Sequence, residues 1–155
     1  RSEIGELLYK LKYNLDTAVI KEIVLATSNF LVSTWKIKAD AIIPVPPSKT
    51  TRSIQPVFEI AKGISLKLKL PYIEHLVKLK DTPELKNVSD YQKRLEILSG
   101  AFGVKDLGLR GKTVLLFDDL FRSGATLNAI TDVLYKSGKV KKVYVLTLTK
   151  TRSRF

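Results

Sequence analysis

Residues 114–130, VLLFDDLFRSGATLNAI, constrain the fold more than any other stretch of the chain. The apolar run 114–117 has no polar interruption, which is the pattern of a strand buried on both faces. Strands of that kind belong to parallel sheets, whose crossover helices cover both sides. The run then meets two adjacent carboxylates, Asp118 and Asp119, then two more apolar residues and a turn of Arg122, Ser123, Gly124, Ala125 and Thr126. Beyond it Leu127, Ile130, Val133 and Leu134 recur at helical spacing, so 125–136 is expected to be a helix.

The rest of the sequence supplies partners for such a strand. Residues 39–45, ADAIIPV, and 142–149, KVYVLTLT, are expected as further strands, with the central one over 112–117. Helical spacing of Ile54, Val57, Ala61, Ile64 and Leu68 puts a helix between the first two. Residues 72–80 are strand-like, and 100–104 is a short returning strand. Two amphipathic helices open the chain, one over 3–13 and a longer one carrying Ile20, Ile23, Val24, Thr27, Leu31 and Trp35. Asp16 or Thr17 can cap the second. The charged segment 81–99 has little periodicity beyond a helical turn near 91–98. The alternation predicts a three-layer α/β fold with a mainly parallel twisted sheet, as a single domain over 1–155. Residues 1–36 form its N-terminal helical segment and 78–104 a loop region.

Composition excludes several classes. The chain has no Cys, so disulfide frameworks and thiolate chemistry are out. His75 is the single His, which removes His-based metal clusters. No apolar run is long enough to span a bilayer and no secretory segment is visible, so a cytoplasmic protein without membrane contact is expected. The formal charge of +12 points to an anionic partner. After Asp132 there is no acid, while Lys136, Lys139, Lys141, Lys142, Lys150, Arg152 and Arg154 follow, which leaves nucleic acid as a candidate partner of the basic surface.

The turn at 122–126 has the chemistry of an anion cradle. The first amides of a helix have no intrahelical partner, and the helix dipole is positive there. Small residues let a phosphate approach the backbone, and Ser123, Thr126 and Arg122 add donors and charge. Ionised Asp118 and Asp119 are acceptors only, suited to sugar hydroxyls or to Mg²⁺ directly or through water. A ribose phosphate satisfies both halves. The alternative is an ordinary strand end whose acids cap the helix. The proline loop at 44–47 precedes Ser48, Lys49 and Arg52; a cis Pro46–Pro47 bond would aim successive amides at one point. Tyr9 and Tyr13, beside Lys10 and Lys12, either flank a base site or pack.

VLLFDDLFRSGAT resembles the phosphoribosyl-pyrophosphate (PRPP) motif of type I phosphoribosyltransferases. Together with GELLYKLKY, IIPVPPSKTTRSIQP and LVKLKDTPELKNVSDYQKRLEILSGAF, in that order, it resembles ComF-like domains over nearly the whole chain. The resemblance implies that Asp118 and Asp119 bind the ribose hydroxyls as the catalytic pair and reach Mg²⁺ only through ribose or water. It implies a 5′-phosphate on Arg122, Ser123, Gly124, Ala125 and Thr126, and a pyrophosphate on Pro47, Ser48, Lys49 and Arg52. Segment 78–99 would be a flexible loop closing over the site, with Lys80, Lys86 and Arg94 as candidates to reach the pyrophosphate. Arg122 stands where the family more often has a small residue. The activity implied is Mg²⁺-dependent transfer of ribose 5-phosphate from PRPP to a nitrogen nucleophile, with a homodimer allowed. The alternative is a non-catalytic module of the same fold that senses PRPP or a nucleotide, or serves DNA processing.

Overall fold

The computed structural model describes residues 1–48, 50–105 and 108–151, apart from the side chain of Lys86. The chain runs through α1 (Glu3–Tyr13), a 3₁₀ turn (Thr17–Val19), α2 (Ile20–Asn29), a π-helical turn (Phe30–Trp35) and β1 (Ala41–Pro44). It continues through α3 (Pro56–Leu68), β2 (Leu76–Lys78), a second 3₁₀ turn (Leu85–Asn87), α4 (Tyr91–Leu98) and β3 (Phe102–Val104). It closes with β4 (Thr113–Phe121), α5 (Ala125–Lys136) and β5 (Lys142–Lys150). Local chemistry sets several of these boundaries. Ser2 caps α1 through Gly5 N–H, and Asp16 Oδ1 accepts from Ala18 N–H at the next helical turn. Pro56 opens α3, where its missing N–H costs nothing.

The central sheet has the order β1-β4-β5 and is parallel throughout. β4 is the middle strand, and its odd and even residues feed opposite cores. On one face Val114 and Leu116, with Ile43 and Val45, pack against Leu127, Ile130 and Leu134 of α5. On the other, Leu115 and Phe117, with Ile42, pack against α1, α2 and α3 through Leu8, Leu11, Ile23, Ile60 and Ile64. The three layers expected from sequence are therefore present, with β4 buried as its run of apolar residues requires.

Two strand expectations need correction. Residues 72–80 do not form one continuous strand. Tyr72 makes a single parallel bridge to Ile42, flanked by Ile42 N–H to Pro71 O and Ile73 N–H to Ile42 O. The chain then leaves the sheet, and β2 pairs antiparallel with β3 in a separate two-stranded sheet. β3 is the short returning strand expected over 100–104, and it pairs with β2 rather than with the main sheet. The central strand also does not stop at 117. Its pairing with β1 ends at Pro44↔Phe117, whereas its pairing with β5 runs on to Phe121↔Lys150. Asp118 and Asp119 thus lie within the strand, past the end of one neighbour and still held by the other.

The segment between β2 and β4 carries α4 as two turns rather than one. Its Leu98 joins Phe102 of β3 in the α5-side core. Asn128 Nδ2 of α5 donates to Tyr91 Oη of α4 at 2.6 Å, tying the two helices. No helix among the described residues is long and apolar enough to cross a membrane.

α2 and α3 approach closely at Gly63, where an added Cβ would lie 2.5 Å from Val24 Cγ2. Val24 is buried and its β-branched side chain is stiff in a helix, so it cannot swing aside. Gly63→Leu is expected to destabilise the fold by about 1–3 kcal/mol, measured as a lower denaturant midpoint at unchanged slope.

Candidate functional site

The crossovers leaving β1 and β4 go opposite ways. From β1 the chain passes through α3 to the Tyr72 bridge on one side, and from β4 through α5 to β5 on the other. A parallel sheet opens a crevice at such a switch point, beyond the carboxyl ends of the two strands. A cleft of about 520 Å³ lies there. Its floor is Asp118 and Asp119, one wall is the turn from Arg122 to α5, and another is the loop after β1.

The turn is shaped for close approach. Gly124 sits just before α5 with φ of 82°, a left-handed conformation that Gly adopts without steric cost. A Cβ there would also meet the Phe121 ring at 3.2 Å. Ser123 Oγ accepts from Ala125 N–H at 3.3 Å. The acids do not cap the helix, as the bland sequence alternative would have it: no side chain caps α5 through its Gly124 N-cap. The amides of Thr126 and Leu127 belong to the first turn, lack intrahelical acceptors and border the cleft.

The acid pair is braced from several directions. Asp119 N–H donates to Asp118 Oδ1 at 2.8 Å, and Asp119 O accepts from Thr149 Oγ1 at 2.8 Å. Lys12, from the last turn of α1, places Nζ 2.5 Å from Asp119 Oδ2. Burial first, and the negative charge of Asp119 second, push the Asp118 carboxyl up to about 8; the Lys12 cation pulls the other way. A neighbouring carboxylate in a covered site opposes the ionisation of Asp118.

Of the residues singled out from sequence, Asp118, Asp119, Arg122, Ser123, Gly124, Ala125 and Thr126 all line the cleft, with Pro47, Ser48 and Arg52 opposite. Arg122 is exposed at the rim. Arg94 lines the wall and is buried, its Nε donating to Val88 O. Lys80 is exposed and lies outside the cleft lining. A charged loop residue looks alike in sequence whether it faces the cleft or solvent. Lys49 and the Lys86 side chain lie outside the described residues. The loop holding Pro46 and Pro47 is reached without a cis bond, since no cis peptide occurs among the described residues. Trans is the lower-energy isomer, and the strand already points this loop at the cleft.

Among the cleft residues without a site role from sequence are the cations Lys12 and Lys78, while Tyr13, which sequence left between flanking a base site and packing, lines the cleft. The pairing of Tyr9 with Tyr13 was the available signal. Their rings lie 4.8 Å apart, and Tyr13 remains exposed while facing the cleft. Nothing in the local sequence joins α1 to β4; only the packing of α1 across the sheet does.

No family model matches the chain. It is 26% identical over 147 residues, 94% of its length, to the competence protein ComFC of Bacillus subtilis, and spans 59% of that protein. Among solved structures, it matches adenine phosphoribosyltransferase from Saccharomyces cerevisiae, complexed with an imino-altritol bisphosphate and adenine. The TM-score is 0.59 at 12% identity, covering 89% of this chain and 72% of that one. Glutamine PRPP amidotransferase from B. subtilis, complexed with ADP and GMP, matches with a TM-score of 0.57 at 18% identity, covering 84% and 26%. A hypothetical protein from Neisseria gonorrhoeae with bound ppGpp matches at 0.54 and 19%, covering 88% and 70%. The parallel sheet, the acid pair at its switch point and these likenesses agree: the chain has the type I phosphoribosyltransferase fold, and in sequence it is similar to ComFC over nearly its whole length.

Proposed function

We propose that this domain binds PRPP and transfers its ribose 5-phosphate to a nitrogen nucleophile, releasing pyrophosphate. The observation that carries this is one cleft joining Asp118 and Asp119 to the opening turn of α5 on one side and to Ser48 and Arg52 on the other. The α5 amides, Ser123 and Thr126 would hold the 5-phosphate. The acids would accept hydrogen bonds from the ribose hydroxyls, and Ser48 and Arg52 would stabilise charge on the departing pyrophosphate. Displacement breaks the bond from the anomeric carbon to the pyrophosphate oxygen and forms one to the nucleophile, whose proton is lost to solvent. Binding the phosphate and the diol on rigid elements keeps the anomeric carbon fixed between leaving group and nucleophile.

The resemblance to type I phosphoribosyltransferases implies an activity that depends on Mg²⁺. No group of three or more His, Cys, Asp or Glu suited to a metal occurs among the described residues. The two acids therefore fit the ion only as a companion of the ligand's own oxygens, reached through water or ribose. When bound, it would neutralise charge on the leaving pyrophosphate.

A second function, a binding module that senses PRPP or a nucleotide without turnover, is favoured by the ppGpp-bound neighbour and by the competence relative. Pyrophosphate release from PRPP and Mg²⁺ over a panel of bases and amines separates the two. Release supports transfer, and binding without release supports sensing.

The site makes three further claims. The double variant Asp118→Asn/Asp119→Asn should weaken ribose 5-phosphate binding by more than about tenfold in calorimetry and leave inorganic phosphate binding in place. Thr126→Val should cost about 1 kcal/mol of affinity for either ligand, one hydrogen bond's worth. The third concerns pH. Burial and the Asp119 charge raise the Asp118 carboxyl to about 8 in the folded protein, against about 4 for an unfolded chain. Between those values the native state binds more protons, so stability of the unliganded protein should fall as pH rises. Denaturant midpoints across that range should show the decline, and Asp118→Asn should flatten it.

A further inference from the structure

Lys12 reaches the acid pair from a different element and from the opposite end of the sequence. Its Nζ is 2.5 Å from Asp119 Oδ2, and the two side chains are only 16% and 12% exposed. A cation so covered is stable only when paired, so this contact is held rather than sampled. Among the described residues the other contacts of Asp119 are its N–H on Asp118 Oδ1, its O on Thr149 Oγ1 and a side-chain hydrogen bond with Asp118. The first two do not orient the carboxylate, and the third comes from the adjacent residue of the same strand. A carboxylate has two oxygens, and pinning Oδ2 on Lys12 limits the directions in which Oδ1 can point. Among the described residues, the other cations bordering the cleft are Arg52, Lys78, Arg94 and Arg122, from the β1–α3 loop, β2, α4 and the β4–α5 turn. The contact on the Asp119 carboxylate comes from α1.

We infer that Lys12 is a positioning residue for the sugar: by clamping Oδ2 it aims Asp119 Oδ1 at a ribose hydroxyl. This rests on the proposed ribose phosphate site and adds to it a specificity determinant outside the acid motif. Recognition of the diol then depends on α1 as well as β4. Loosening α1 would cost sugar discrimination while sparing the phosphate cradle on α5.

The test is calorimetric binding of ribose 5-phosphate, its 2-deoxy and 3-deoxy analogues, and inorganic phosphate to the wild type and to Lys12→Met and Lys12→Arg. The wild type should prefer ribose 5-phosphate to each analogue by about tenfold, the value of a hydrogen bond to a charged acceptor. In Lys12→Met the preference over one analogue, the one lacking the hydroxyl on Asp119, should fall to within about twofold, with phosphate binding unchanged within the same factor. Lys12→Arg should recover part of the preference. A merely structural lysine would lower stability but leave the ratio of sugar affinities intact. Should Lys12→Met not fold, Lys12→Gln serves, since it removes the charge but keeps a polar side chain. Full discrimination in the charge-removing variant overturns the role of Lys12 and leaves the site standing. Equal binding of all three sugars by the wild type overturns the ribose site itself and Lys12's part in it.

Discussion

Burial of β4 on both faces is the constraint on which the rest depends. Its apolar run has no polar side to offer water, so helices must cover the sheet above and below. Parallel crossovers supply them, and two crossovers departing in opposite directions from β1 and β4 leave the crevice between those strands. The acids sit where β4 has outrun β1 but not β5. The site is thus a consequence of strand lengths as much as of residue types.

The electrostatics of the cleft divide along the same strand. At the α5 end, helix amides, small residues and hydroxyls favour an anion. At the strand end, burial and the neighbouring Asp119 charge push the Asp118 carboxyl upward, while Lys12 pairs with Asp119 from the other side. Of the two acids, Asp119 lies on the α1 side of the sheet with Leu115 and Phe117, and Asp118 on the α5 side with Leu116, by the alternation of the strand. A ligand bridging both therefore lies across the strand end and touches both layers.

The elements most legible in sequence were those whose own side chains state their environment. The α1, α3 and α5 helices follow from apolar spacing, and β4 from a run with no polar member. The small-residue turn at a helix start was legible, and the cleft gathers Ser123, Gly124 and Thr126 with Ser48 and Arg52. The failures have a common origin. Residues 72–80 were strand-like, but whether they joined the main sheet depended on β3, 24 or more positions further along. Lys80 and Arg94 were equal candidates by charge, yet one is exposed and the other buried in the wall.

Sequence alone determined the layered α/β class, the place of the acid pair and the small-residue turn into α5, because each is written in contiguous residues obeying a local period or a local dihedral demand. Tertiary structure decided which distant groups meet the acids. Lys12 stands more than a hundred positions from Asp119, and a lone lysine at the end of an amphipathic helix has no local signature of a partner. The fold brings it there by packing α1 over the sheet face that Asp119 shares, and burial then makes the ion pair obligatory where solvent would have made it optional.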